Sequence, residues 1–172
     1  MPSHTPVPSV DRAGVHLEVN DVSTTEATLI EESAQKTRLW LDELAEELGR
    51  PGDQKYALRV LRGFLHTLRD RLPVPETAHL AAQLPAFLRG LFYEGWRPTT
   101  LPMRYHDLQT FLDKVAEHGQ LAGETEAAYG AEAAARVLRT HVGAGELDKV
   151  RAVLPHEIVA LLNGATRGGS DG

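Results

Sequence analysis

Three sequence matches recur in the same order in the two halves of this chain, and this internal repeat is the feature that most restricts its fold. The matches pair Trp40–Glu46 with Phe111–Glu117, Arg59–Arg62 with Arg136–Arg139, and Glu76–Pro85 with Glu146–Pro155. The offset between partners differs from match to match, as expected where connecting loops have changed in length. The shared order predicts a duplicated structural unit in which a Leu-Pro pair interrupts each copy near its end.

The apolar residues of the first half recur at helical spacing. One such series, with steps of three or four residues, is Ile30, Ala34, Thr37, Leu41, Leu44 and Leu48. This spacing places the series on one stripe of a long helix that faces the core. Ser23-Thr-Thr-Glu26 has the capping-box pattern and predicts the start of that helix. Residues 1–22 are then a flexible leader, with a short extended piece at Val15–Val19.

Aspartate and proline residues predict the ends of the following helices. Asp53 caps a second helix that runs to about Arg71, before Pro73. Pro85 separates two short helices, at residues 76–83 and 86–93, because proline lacks the N–H that a helix interior needs. The same plan predicts second-half helices at residues 107–118, 126–142, 146–153 and 158–162.

These elements predict an all-α protein: two tandem related helical units, each with two helices plus a proline-broken helix pair, packed as one bundle-like globule. We expect a flexible leader at 1–22, a first repeat at 23–97, a linker at 98–105, a second repeat at 106–164 and a flexible tail at 165–172. Neither unit covers its own apolar faces, so the two should pack together about an approximate two-fold axis. The bulky first-half residues Phe64, Phe87, Phe92 and Trp96 are expected at this junction.

Composition argues against several classes of function. The chain has no cysteine, which excludes disulfides, thiolate nucleophiles and iron–sulfur clusters. The eight histidines form no metal-binding motif, and no G-x-S-x-G, G-x-G-x-x-G or Walker A pattern occurs. We therefore predict no metal, no cofactor and no catalytic residue. A net charge of −6 and apolar helices after Leu84-Pro85 and Leu154-Pro155 argue against nucleic-acid binding. With no secretory signal or membrane span in view, we predict a cytoplasmic protein.

Three strings resemble the DUF2267 family of uncharacterised bacterial proteins. They are Ala57–Leu72 (ALRVLRGFLHTLRDRL), Leu80–Pro85 (LAAQLP) and Arg89–Pro98 (RGLFYEGWRP). The resemblance covers roughly residues 30–165. It implies an all-helical bacterial protein and carries over no catalytic residue.

The candidate ligand-binding or partner-binding residues are Arg69, Asp70, Arg71, Arg89, Tyr93, Trp96 and Arg97. The cations at the end of the second helix have two interpretations. They complement the partial negative charge of the helix end, with Asp70 in a local pair, or they join Arg89 and Arg97 to hold an anion. The rings around Gly95 either pack in the core or form a patch for a partner.

The leading hypothesis is a non-enzymatic helical protein-interaction or scaffold module. Its partner is another protein or a second copy of the chain in a homodimer, with no nucleic acid and no membrane involved. The alternative is a small anionic-ligand-binding protein or enzyme that uses the arginine and tyrosine cluster around Arg69, Arg89 and Tyr93.

Overall fold

The computed structural model describes residues 13–100 and 102–165, with side chains from residue 25 onward. This part of the chain is all helical. Its elements are α1 (Ala13–Glu47), α2 (Gln54–Asp70), α3 (Val74–Ala82), α4 (Ala86–Tyr93), a 3₁₀ turn (Pro98–Thr100), α5 (Leu108–Gly119), α6 (Glu124–His141), α7 (Ala144–Ala152) and α8 (His156–Asn163). The predicted leader up to residue 12 and the predicted tail from residue 166 lie outside the described residues.

The polar and proline markers of the sequence coincide with the helix ends. The Asp53 carboxylate accepts a hydrogen bond from the Tyr56 N–H at 3.0 Å, and Asp107 accepts one from the Thr110 N–H at 2.7 Å. Each carboxylate thus satisfies a backbone donor that has no partner within its helix. Pro85 and Pro155 stand immediately before α4 and α8, with nearly identical backbone angles. The predicted proline breaks are therefore confirmed in both halves.

The predicted start of the first helix is wrong. Helix α1 already includes Ala13, so Ser23-Thr-Thr-Glu26 lies within it, and Val15–Val19 is helical rather than extended. The capping-box prediction fails because a capping side chain is needed only where backbone N–H groups have no partner. Inside a helix those groups bond to the preceding turn. The predicted boundary between leader and first repeat at residue 22 consequently falls inside α1.

Helix α2 is the centre of the fold. Eleven of its 17 residues are buried, and it packs against α1, α4, α5 and α6. Gly63 allows the closest approach, because a Cβ there would lie 2.6 Å from the Val115 carbonyl oxygen and 2.9 Å from Gly119 in α5. Phe64 and Phe111 meet edge to face across the same interface, with ring centroids 6.4 Å apart. The two halves of the chain thus share one core.

Polar contacts also join the halves at the surface. The Tyr56 hydroxyl donates to Glu126 at 2.6 Å, and Arg136 pairs with Glu47 at 2.7 Å. Burial of the ring raises the pKa of Tyr56 to about 12, and the neighbouring Glu126 carboxylate acts in the same direction. Of the four bulky residues expected at the junction, Phe64 and Phe92 are fully buried and Trp96 is half-buried. Phe87 is instead 55% exposed, so it does not lie in the core.

Candidate functional site

Arg69 is buried and holds the end of α4. Its Nη1 donates to the carbonyl oxygens of Phe92 at 2.7 Å and Glu94 at 2.8 Å, and its Nε donates to Asp70 at 2.8 Å. Only 3% of the residue is exposed. Burial is tolerated because the guanidinium meets a carboxylate and two carbonyls, which replace its lost hydration. The cation therefore serves the carbonyl end of α4 rather than that of its own helix.

Arg71 and Arg89 also donate to backbone carbonyls, each at a different place. Arg71 Nε reaches the Tyr105 carbonyl at 2.9 Å, and its guanidinium lies 5.6 Å from the centre of the Tyr105 ring. Arg89 Nε and Nη2 donate to the carbonyls of Ala81 at 3.0 Å and Leu84 at 3.1 Å, at the end of α3. The Arg71 bond holds the linker against α2. The Arg89 bonds hold α4 against α3. They do not bring the two guanidinium groups together.

The remaining candidates lie at the end of α4: Tyr93 is its last residue, and Trp96 and Arg97 come shortly after it in the chain. The Tyr93 and Trp96 rings lie 5.2 Å apart, and the Trp96 indole N–H is buried without a hydrogen-bond partner in the described structure. Arg97 is exposed and lines a small cavity of about 230 Å³ together with Asp70. Six of the seven predicted residues thus lie near the ends of α2 and α4, while Arg89 faces another cleft.

A buried histidine in α2 lies close to Arg69 and Asp70, and no sequence pattern marked it as a candidate. His66 Nε2 is 2.7 Å from the Leu91 carbonyl oxygen, and its ring meets that of His118 edge to face at 5.9 Å. Asp70 lies 3.8 Å from His118 and bonds Arg69. Burial lowers the pKa of His66 below its ordinary value near 6.5, and the nearby Arg69 and His118 act in the same direction. His66 is therefore neutral near pH 7 and donates its Nε2 proton to Leu91.

An apolar concavity lies elsewhere, between α1 and α4, with Leu58 of α2 in its lining. We call it the α1–α4 groove, and it has a volume of about 570 Å³. Its apolar lining consists of Leu29, Ile30, Ala34, Leu41, Leu58, Ala86 and Phe87. Ile30 is 72% exposed and Phe87 is 55% exposed. Large apolar side chains at such exposure, grouped in one concave surface, are typical of a binding site.

The first part of α1 whose side chains are described is exposed, and we call residues 25–32 the arm. All eight of its residues are exposed, whereas the stripe of α1 is buried from Thr37 onward. The predicted apolar stripe is thus half right: Leu41, Leu44 and Leu48 reach the core, but Ile30 does not. Leu29 and Leu39 fall off the predicted stripe, and both are more than half exposed, as their positions in the helical spacing indicate.

A second, more polar cleft lies next to the groove and shares Leu29, Ser33 and Ala86 with it, and we call it the polar cleft. Lys36, Trp40, Arg89 and His141 are among its lining residues, and its volume is about 520 Å³. His141 stacks on Trp40 with centroids 4.7 Å apart and pairs with Glu43 at 2.5 Å. The predicted candidate Arg89 therefore shares a cleft with Lys36 rather than with Arg69 and Tyr93.

The comparisons with known proteins give a family without an activity. A family model described as "Uncharacterized conserved protein (DUF2267)" matches residues 37–161, more than two thirds of the chain. No functionally curated protein matches it. Among the described helices, none is both long enough and apolar enough to cross a bilayer. The described residues include no group of three His, Asp or Glu side chains placed to hold a metal ion.

Proposed function

The chain belongs to the DUF2267 family, which assigns it no reaction, and we propose that it is a non-enzymatic helical interaction module that binds a protein partner in the α1–α4 groove. The observation that carries this proposal is the exposure of Ile30 and Phe87 on facing helices around one apolar concavity. An amphipathic helix of a partner is the kind of ligand that such a groove fits, with anchors spaced three or four residues apart.

The arrangement of the arginines supports an interaction role over catalysis. Arg69, Arg71 and Arg89 each donate to backbone carbonyls within the chain. These bonds hold α3, α4 and the linker in position against α2. The residues that the sequence marked as a candidate site therefore support the groove indirectly, because Arg69 holds the carboxyl end of α4 and Arg89 holds α4 against α3.

Capture experiments with the full chain as bait test the proposal. Ile30→Glu and Phe87→Ser each place a polar group in the groove and should reduce recovery of a specific partner roughly tenfold, as expected for central anchors. Val74→Ser is the matched control, since Val74 is an exposed apolar residue at the start of α3 that does not line the groove. Identical recovery with all three variants would refute a groove-mediated function.

A second candidate function is binding of a small anion in the polar cleft, favoured by the presence of Lys36 and Arg89 in one lining. Phosphate and citrate are suitable probes, because a ligand bound only by the folded chain raises Tm by mass action. Lys36→Gln should abolish that rise, and this surface change leaves the carbonyl bonds of Arg89 intact. A rise that persists in Lys36→Gln would place the anion elsewhere.

A further inference from the structure

We propose that the occupant of the α1–α4 groove is the arm of a second copy of this chain, inserted reciprocally so that two copies form a two-fold symmetric dimer. This inference rests on the proposed function of the groove and names its partner. The inference rests on the arm and the groove together, because Leu29 and Ile30 belong to both.

The surface is self-complementary in its apolar residues. Leu29 and Ile30 belong to the arm and also line the groove. An isologous dimer requires the same patch on both copies, so that each copy gives an arm and receives one. In an antiparallel pair of α1 helices centred between Ser33 and Ala34, Ile30 comes to lie beside the partner's Thr37. Ser33 and Ala34 are small, which allows the two helices to approach closely at the centre.

The charges of α1 fit the same antiparallel pairing. The arm carries Glu26, Glu31 and Glu32 and no cation, whereas residues 33–38 carry Lys36 and Arg38 and no acid. Reversing one copy against the other brings the acidic stretch of each onto the basic stretch of its partner. Arg38 lines the groove and forms an exposed ion pair with Glu31 at 3.2 Å within one chain. The dimer places Glu31 within reach of the partner's Arg38 on the same flank.

Burial of the apolar side chains of the arm would add to its stability. Most helical stability in proteins comes from packing of an apolar face rather than from intrinsic helix propensity. Within one chain the arm has no buried residue, although its Leu29 and Ile30 are large and apolar. Docking in a partner's groove buries these side chains and the exposed ring of Phe87 together.

Sedimentation velocity on the full chain over a range of concentrations tests the dimer. We expect a reversible dimer, and Ile30→Glu should increase its Kd roughly tenfold or more. Leu39→Glu is the matched control, because Leu39 is 51% exposed on the same helix and lies nine residues from Ile30, on the opposite face. Circular dichroism and thermal melts confirm that both variants fold, which is expected because both side chains are already exposed.

A charge-reversal set tests the pairing direction. At low salt, Glu31→Arg and Arg38→Glu should each weaken the dimer, and the double variant should restore it, since opposite charges again face each other. A chain that stays monomeric at every soluble concentration, or a dimer that Leu39→Glu weakens as much as Ile30→Glu, overturns the second-copy proposal. If the chain is monomeric but captures a different protein in an Ile30-dependent way, the second copy is refuted and the proposed function stands. A monomer with no Ile30-dependent capture refutes both.

Discussion

Arg69 connects the end of α2 to the end of α4, and its removal should be costly. Arg69→Met keeps much of the stem but leaves the carbonyls of Phe92 and Glu94 and the Asp70 carboxylate without their donor. We expect the free energy of unfolding to fall by about 2–4 kcal/mol, since buried acceptors lose a charged partner. Arg97→Met, at an exposed position just after α4, should change the free energy of unfolding by less than about 0.5 kcal/mol. Urea unfolding measures both, and equal effects would contradict this role for Arg69.

His66 should make stability depend on pH. Its pKa in the folded chain is below the ordinary value near 6.5, so the unfolded chain binds a proton first as the pH falls. The contribution of His66 is therefore complete above about pH 6.5 and is lost as the pH decreases toward the folded pKa. Tm should fall over this range, and the side chains that act electrostatically on His66 are Arg69, His118 and Asp70. His66→Gln should flatten the fall, whereas His79→Gln, at an exposed position, should leave it unchanged.

For single residues, the sequence predicts contact partners only where the two partners are close together in the chain. Asp70 beside Arg69 is a neighbour in the chain, and the pair is present in the structure. The carbonyls of Phe92 and Glu94 lie more than 20 residues further along, and nothing in the spacing of Arg69 indicates them. His66 likewise meets His118 only because α2 and α5 pack together. Long-range contacts of this kind depend on how the helices pack, so no local sequence pattern predicts them.

Helix ends were more predictable than helix environments. Asp53, Asp107, Pro85 and Pro155 act on the backbone next to them, so their effect is the same wherever the helix packs. The exposure of a helix stripe instead depends on how far neighbouring elements extend. Ile30 and Leu41 have the same apolar character and lie on the same stripe, yet Leu41 is buried and Ile30 is 72% exposed.

Gly63 sets the distance between α2 and α5, and its replacement should separate them. A Cβ at Gly63 would meet backbone atoms of Val115 and Gly119, which cannot move aside as a side chain could. We expect Gly63→Ala to lower the free energy of unfolding by about 3 kcal/mol. Gly90→Ala in α4 is the control, because no atom lies within 4 Å of that added Cβ. Alanine favours the helix there by up to about 1 kcal/mol, so this variant should be neutral or more stable. Thermal melts that rank the two variants in the opposite order would contradict the close approach.

The helix contacts within the described residues can be compared with the predicted duplication. If α1 to α4 correspond to α5 to α8, the contact of α1 with α2 matches that of α5 with α6, and the contact of α2 with α4 matches that of α6 with α8. Contacts of α2 with α6 and of α3 with α7 are then their own counterparts, as an approximate two-fold axis requires. The repeat in the sequence predicts such a two-fold plan, and the plan stays a prediction, because α2 contacts α5 far more extensively than α1 contacts α6. It could not predict that α1 extends beyond the shared core as an arm, because α5 has no matching extension.

The shared core predicts that neither half folds alone. Fragments 1–97 and 98–172 should each lack a cooperative thermal transition, because separation exposes the α2 surface that α5 and α6 cover, including Phe64 and Gly63. Mixing the fragments should recover helical circular dichroism and one melting transition. Cleavage of the folded chain at a protease site inserted in the linker is the control, since the halves should then remain associated and separate only in denaturant. If either fragment unfolds cooperatively by itself, that half has its own sufficient core, and the packing of the halves on each other is not what stabilises the protein.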